Sequence, residues 1–328
     1  MKAMYTAPPG GWEHTSWTDV PEPKAEPGQA IVEIQAAGLN PADYFQVQGQ
    51  YPGQPKPPFI TGRDAAGVVV DGGGRSDLPP GTPVLVIQSQ LRNLAEGTFC
   101  ERQRFAASDV QPIPDGWSLH EAAAAPLAYM TAWRALKIHA DCGAGSVVLV
   151  TGASGGVGIA AVQLALGLGA TVVALSRSPE KRARLAHLGV PHAFDPEDPD
   201  LKKRVAEAAG KHGVDVVVET VGGPFLRTAV HVLAVGGMVG VVGVLAGVEG
   251  PVPIPSLMFK RARVQGILVS DYPPDQAGIE WASIVRTLAT RNFRPIVDRL
   301  FPLDQFRAAS DYLKTSPFGK VVLTQPGR

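Results

Sequence analysis

Val150-Thr151-Gly152-Ala153-Ser154-Gly155-Gly156-Val157-Gly158 is the stretch on which the fold turns. It ends a continuous apolar run, residues 146–150, and opens an apolar run of helical spacing, residues 156–168. Strand, glycine turn and helix in that order are the context that dinucleotide binding requires. Glycines 152, 155 and 158 permit a tight turn, close backbone approach to a pyrophosphate, and close packing of helix on sheet. N–H groups at the helix start then face the phosphates. The candidate cofactor contacts are therefore Gly152, Ala153, Ser154, Gly155, Gly156, Val157 and Gly158. The bland alternative is a glycine turn that binds nothing, and the flanking strand and helix weigh against it.

Working outward, the same alternation continues. Residues 171–175 read as a strand, 179–188 as a charged amphipathic helix with proline in its first turn, and 192–194 as a short strand. A helix at 201–209, a strand at 214–218, a helix at 224–233 and strands at 238–242 and 264–269 follow. This rhythm predicts a parallel sheet covered on both faces. Upstream, residues 119–136 are alanine-rich and read as one or two helices. The first 115 residues or so hold short apolar runs, such as 30–36, 67–70 and 83–87, separated by turn signals. They predict an irregular β-barrel or sandwich with little helix. Helices at 276–290 and 303–313 and a strand at 319–323 close the chain. That tail is expected to rejoin the N-terminal part, because a lone 60-residue piece builds little core.

Composition bounds the function. The 328 residues suit about two domains, and 45% apolar residues suffice for a real core. Thirty Lys+Arg balance thirty Asp+Glu, which argues against a general nucleic-acid binder. Two cysteines, Cys100 and Cys142, exclude a disulfide scaffold and a four-cysteine zinc site. No signal segment and no membrane-length apolar run are visible, so a cytoplasmic protein without a membrane partner is expected.

A P-loop is rejected, because Val157-Gly158-Ile159 stands where Gly-Lys-Ser/Thr is needed. A short-chain dehydrogenase would need a later Tyr-x-x-x-Lys, and Tyr272 and Tyr312 are followed at that spacing by Gln276 and Ser316. The second strand ends Leu175-Ser176-Arg177-Ser178, with Lys181 one turn on and no carboxylate before Glu180. An acid there would suit the ribose hydroxyls of NAD. Ser176, Arg177 and Lys181 instead suit a 2′-phosphate, so NADPH is the expected cofactor. Ordinary solvated helix residues are the alternative for Arg177 and Lys181.

Several segments, in order along nearly the whole chain, resemble the medium-chain dehydrogenase/reductase superfamily, and within it the zinc-independent quinone oxidoreductase (ζ-crystallin-like) branch. They are Gly38-Leu39-Asn40-Pro41-Ala42-Asp43, Gly62-Arg63-Asp64-Ala65-Ala66-Gly67, residues 122–132, the glycine turn, residues 215–223, and Phe318-Gly319-Lys320-Val321-Val322-Leu323. The resemblance implies an α/β protein. A GroES-like irregular β-barrel domain would take residues 1–118 and 264–328. A Rossmann doubly wound parallel-sheet domain would take 119–263, with the active site in the cleft between the two. It also implies NADPH as hydride donor and a homodimer formed through Rossmann edge strands. By family position, Met130 and Thr131 would line the cleft near the nicotinamide, Gly243 and Val244, after the fifth strand, would lie at the carboxyl edge where cofactors sit, and Val269-Ser270 would contact the nicotinamide amide. Lys320 would lie near the phosphates, an exposed strand lysine being its alternative.

The positions that hold catalytic zinc in the zinc-dependent relatives match Asn40, Arg63 and Leu127. None offers a thiolate or imidazole, so no metal is expected. This chain also departs from the branch. Val47-Gln48-Gly49 lacks an expected arginine, Phe45 replaces a tyrosine, and Asp195 replaces a tyrosine that helps hold the cofactor phosphate in some relatives. An inward Asp195 would disfavour a 2′-phosphate. Arg63 is atypical and either binds an anionic substrate group or pairs with Asp64 or Asp43.

The expected reaction is hydride transfer to a quinone or an α,β-unsaturated carbonyl. Asn40, Tyr51 and Arg63 are the candidate donors to the acceptor oxygen. The alternative for Asn40 is binding of the nicotinamide ribose, and for Tyr51 it is packing of the barrel rim. One competing reading is an enoyl-thioester reductase with Arg63, Arg92, Arg102 and Arg104 as a basic rim. Another is a weakly catalytic NADPH-binding module.

Overall fold

The computed structural model describes residues 1–53, 55–87, 96–269 and 276–327. In chain order, β1 (Lys2–Thr6), β2 (Thr15–Asp19) and β3 (Gln29–Leu39) lead into α1 (Pro41–Val47). Next come β4 (Phe59–Ile60), β5 (Ala65–Asp71), β6 (Pro83–Val86), β7 (Arg102–Ala106) and β8 (Val110–Pro112). After α2 (Leu119–Ala124) and α3 (Pro126–Trp133), strands and helices alternate: β9 (Val147–Val150), α4 (Gly156–Gly167), β10 (Thr171–Leu175), α5 (Pro179–His187), β11 (His192–Phe194), α6 (Leu201–Ala209) and β12 (Val214–Glu219). Then follow α7 (Phe225–Val232), β13 (Leu233–Val241), α8 (Ile254–Lys260), β14 (Arg263–Gly266), α9 (Ala277–Ala289), β15 (Val297–Pro302), α10 (Phe306–Leu313) and β16 (Lys320–Thr324).

The chain divides into two compact units. Unit 1 comprises Met1–Leu127, Val269–Ala282 and Arg294–Arg328. Its main sheet runs β15-β16-β3-β5-β6-β8, with β7 also paired to β3. Strand β3 organises it. One face of β3 (Ala30, Val32, Ile34) is fully buried and alternates with half-buried positions, as period-2 geometry demands. Strand β16 pairs antiparallel with β3, Val321 opposite Leu39 and Leu323 opposite Ala37. The chain's end therefore completes the sheet begun by residues 29–39. Val32, Ile34, Val84, Phe99, Phe306 and Val321 build the core.

Unit 2 comprises Ala128–Leu268 and Ser283–Phe293. Among the described residues its sheet has the order β11-β10-β9-β12-β13-β14, all parallel. Strand β9 lies at its centre and is buried at every residue, as a strand covered on both faces must be. Helix α4 buries Gly158 through Leu166 continuously. That is why its sequence is apolar all round and not amphipathic. Each such Val or Leu contributes about 1.5–3 kcal/mol on burial.

The structure departs from the sequence expectations in identifiable places. Helix α1 occurs where little helix was expected. Asn40 precedes it, Pro41 starts it, and the Asp43 carboxylate accepts from the Asn40 N–H at 2.8 Å. Helix α8 was missed because it buries no residue and so has no periodic signal. Strand β13 starts at Leu233, five residues early, and a register shift opposite Val214–Val216 accommodates the extra length. Strand β14 stops at Gly266, short of Val269. The expected division at 118/119 lies before α2, which packs on β3, β5 and β6 of unit 1, and unit 1 runs on to Leu127. Residues 283–293 belong to unit 2, where Thr287 closes against Gly167 and leaves no room for a Cβ there.

Candidate active site

In unit 2 the glycine turn joins β9 to α4. Gly152 takes φ +54, a left-handed conformation that glycine adopts without strain. A Cβ on Gly158 would collide with the Gly152 carbonyl oxygen, so that glycine lets helix and turn close up. Gly155 differs, since a Cβ there would meet only the Gly152 oxygen at 3.5 Å. The space above Gly155 is open, and Gly155 caps α4 without a side chain. The first-turn N–H groups of Gly156, Val157 and Gly158 are those that a helix leaves without internal acceptors. An open cradle at a helix N-terminus fits a cofactor pyrophosphate. Ala153 and Ser154 are buried, and the Ala153 N–H is tied to the Leu175 carbonyl at 3.0 Å.

Behind the turn lies a group that sequence reasoning missed. Thr151 Oγ1 donates to Glu219 Oε1 at 2.8 Å, and the Thr220 N–H donates to Thr151 Oγ1 at 2.9 Å. Glu219 is fully buried at the carboxyl end of β12, and burial raises its pKa. Gly243 packs on the Thr220 backbone, which places residue 243 beside the turn, while Val244 is exposed. Met130 and Thr131, on α3, are buried.

At the end of β10, Ser176 is buried and Arg177 exposed, and the Ser178 hydroxyl caps α5 by accepting from the Lys181 N–H. Arg182, another residue missed by the sequence reading, holds this segment. Its Nη1 donates to the carbonyls of Ser176 at 2.7 Å and Arg177 at 2.9 Å, and to Asp195 Oδ2 at 3.0 Å. Asp195 is thus an ion-pair partner here. A cavity of about 410 Å³ adjoins the pair, lined also by Phe194, Asp198 and Arg204.

In unit 1, residues from four segments far apart in sequence form a buried polar network. Lys320 Nζ donates to Asn40 Oδ1 at 2.6 Å and Asp64 Oδ2 at 3.1 Å. Asn40 Nδ2 donates to Asp64 Oδ2 at 3.0 Å and to the Gly38 carbonyl at 3.2 Å. The Leu127 N–H donates to Asp64 Oδ1 at 2.8 Å. Arg63 Nη1 donates to Asp43 Oδ1 at 2.5 Å, and its guanidinium lies 4.5 Å over the half-buried Tyr51 ring. Burial raises the Asp43 pKa, and the Arg63 charge opposes that rise.

This geometry decides several open choices. Arg63 pairs with Asp43, not Asp64. Lys320 is 5% exposed, which rules out the exposed strand lysine, and its ammonium is held by Asn40 and Asp64. Both Asn40 amide hydrogens are engaged. Val269 is buried and belongs to unit 1. Arg102 pairs with Glu22 and Glu33, and Arg104 with Glu26 and Glu96, so neither is a spare rim cation. Arg92, Ser270 and Tyr272 lie outside the described residues.

The residues at the zinc positions do not fit that metal. Arg63 brings a permanent cation, Leu127 brings a backbone N–H already given to Asp64, and Asn40 Oδ1 accepts from an ammonium. Burial holds the Cys100 thiol far above its ordinary pKa and pushes Cys142 up to about 11, so neither readily offers a thiolate. Among the described residues, no three His, Cys, Asp or Glu side chains gather to hold a metal.

Comparison with known proteins fits both units. A family model for the alcohol dehydrogenase GroES-like domain matches residues 26–139, and one for the zinc-binding dehydrogenase domain matches residues 156–285. The chain is 29% identical to a quinone oxidoreductase of Lama guanicoe over 330 residues, covering 98% of this chain and 97% of that one. A probable oxidoreductase from Mycobacterium abscessus is 31% identical, with a TM-score of 0.85 over 99% of this chain and 98% of that one. A mycobacterial protein solved in complex with NADPH is 26% identical, with a TM-score of 0.87 over 99% of both chains. A GroES-like unit together with a glycine-turn parallel sheet defines an oxidoreductase that uses a nicotinamide cofactor and a small-molecule substrate. The chain belongs to the medium-chain dehydrogenase/reductase superfamily, in its quinone oxidoreductase branch. No described helix is long and apolar enough to cross a membrane.

Proposed function

We propose that this protein is a zinc-independent, NADPH-dependent reductase that passes hydride to a quinone or an α,β-unsaturated carbonyl. The observation that carries the cofactor choice is the β10 end. Ser176 and Arg177 stand there without a carboxylate, and Asp195, an acid that would repel a 2′-phosphate if left unpaired, is paired with Arg182. Arg177 and Lys181 then supply charge-assisted donors. NADPH supplies the hydride, and the protein's task is orientation and charge stabilisation.

Negative charge develops on the acceptor oxygen as hydride arrives, and a donor aimed at that oxygen lowers the barrier. Tyr51 is the donor we assign. Asn40 has no spare amide hydrogen, and Arg63 gives Nη1 to Asp43 and lies over the Tyr51 ring, while its Nε and Nη2 have no hydrogen-bond partner among the described residues. Asn40 therefore acts by fixing the site's geometry, and Arg63, held on Asp43, acts through its contact with the Tyr51 ring. A quinone asks little of a general acid, because the hydroquinone anion takes its proton from water.

The test is oxidation of NADPH and NADH with a quinone, an enone and an enoyl thioester, each with and without chelator. Chelator-resistant turnover with NADPH preferred is the expected result, and loss of activity on chelation would overturn the zinc-free reading. Tyr51→Phe should lower kcat about tenfold or more with the enone, leaving NADPH affinity unchanged.

A further inference from the structure

Glu219 belongs to no catalytic step described above, yet its surroundings are specific. One carboxyl oxygen, Oε1, accepts from three donors: Thr151 Oγ1, the Val221 N–H and the Gly222 N–H, each at 2.8 Å. The hydrogen bonds run in one direction, from the Thr220 N–H to Thr151 Oγ1 and from the Thr151 hydroxyl to Glu219. The Thr220 hydroxyl adds a bond to the Thr151 carbonyl at 2.7 Å. Thr151 is the residue before Gly152, where the chain takes its left-handed step into the phosphate turn. A Cβ on Gly152 would meet Thr220 Oγ1 at 2.5 Å, so the loop after β12 also abuts the turn.

We propose that Glu219 is a positioning residue for cofactor binding, which through Thr151 fixes the backbone of the phosphate turn and ties it to the loop that follows β12. A polarised chain of this kind strengthens each of its members. Without the Oε1 acceptor, a hydroxyl and two backbone N–H groups lose their partner, and the turn loses the anchor that holds residue 151 against strand β12. Oε2 has no partner among the described residues, and burial favours the neutral carboxyl. A glutamine amide keeps the acceptor and adds no charge, so Gln should substitute for Glu here and Ala should not. The pyrophosphate is common to NADPH and NADH, so the effect is indifferent to the 2′-phosphate. It stands whether or not the NADPH preference proposed above is correct.

The experiment compares Glu219→Gln, Glu219→Ala, Thr151→Val and Thr151→Ser. The readouts are NADPH and NADH dissociation constants by titration calorimetry, and amide hydrogen exchange of residues 151–158 in the cofactor-free protein. Glu219→Ala and Thr151→Val should each weaken both nucleotides about tenfold or more and speed exchange at the turn. Glu219→Gln and Thr151→Ser should stay within about threefold of the parent, and the Ala/Val double variant should lose less than the two single losses combined. Should Glu219→Ala fail to fold, Thr151→Val against Thr151→Ser carries the same contrast. The proposal is overturned if Thr151→Val binds both nucleotides as the parent does. Turn exchange unchanged in both disruptive variants, or an effect on NADPH alone, would also overturn it.

Discussion

At the scale of single residues, buried carboxyl groups set the most exacting conditions. Glu219 has its pKa raised by burial, and the groups that donate to its carboxyl are a hydroxyl and two N–H groups, none of them charged. A raised carboxyl pKa favours the folded state below the unfolded value, about 4.3, and that contribution is withdrawn as pH rises toward the folded value. Glu219→Gln removes this penalty. Its Tm relative to the parent should therefore climb as pH rises above the unfolded value of about 4.3, and thermal melts in a series of increasing pH would show it. Asp43 poses the opposite problem, because its partner Arg63 is equally buried. Asp43→Asn would strand a guanidinium and should cost about 3–5 kcal/mol in urea unfolding. Arg63 was legible as an oddity in the sequence, but its partner was not. Asp64 is adjacent in sequence and Asp43 lies 20 residues away, and only the fold's side-chain directions choose between them.

At the scale of elements, the strand–turn–helix β9–α4 was fully legible, since its apolar runs and its glycines are local. Its glycines nonetheless do different work. Gly158 has no room for a Cβ and Gly155 has open space above it. Gly158→Ala should therefore destabilise the fold. Gly155→Ala should keep Tm within about 2 °C while weakening NADPH about tenfold, because its methyl occupies the anion's place. Paired melts and binding titrations separate the two. Helix α8 was not legible, being exposed, whereas strand β14 was expected at 264–269 and runs Arg263–Gly266. Phe259 is 82% exposed and Met258 66%, and β14 forms an edge of the parallel sheet. An apolar helix next to a sheet edge that is unpaired among the described residues is a surface that proteins cover. We propose that a second copy covers it, so that Phe259→Asp should convert a dimer to a monomer in light scattering.

At the scale of the whole molecule, the chain folds back on itself. Lys320 reaches Asn40 across 280 residues of sequence, within one compact unit. Lys320→Met should leave Asp64 buried and short of a cation, destabilising the protein by about 3–5 kcal/mol in denaturant unfolding. NADPH affinity falling more than stability would instead assign Lys320 to the cofactor phosphates. The sequence by itself determined the alternation of strands and helices over residues 146–242, the nucleotide turn, and the absence of thiolate or imidazole at residues 40, 63 and 127. These follow from sterics and chemistry within a few residues. Only the tertiary structure decided that Arg63 pairs with Asp43, that Arg182 takes up Asp195, that Glu219 stands behind the turn, and that Lys320 is buried. Each is a contact between polar groups taken out of water together, and which groups meet depends on strand register and sheet order, which no short stretch of sequence encodes.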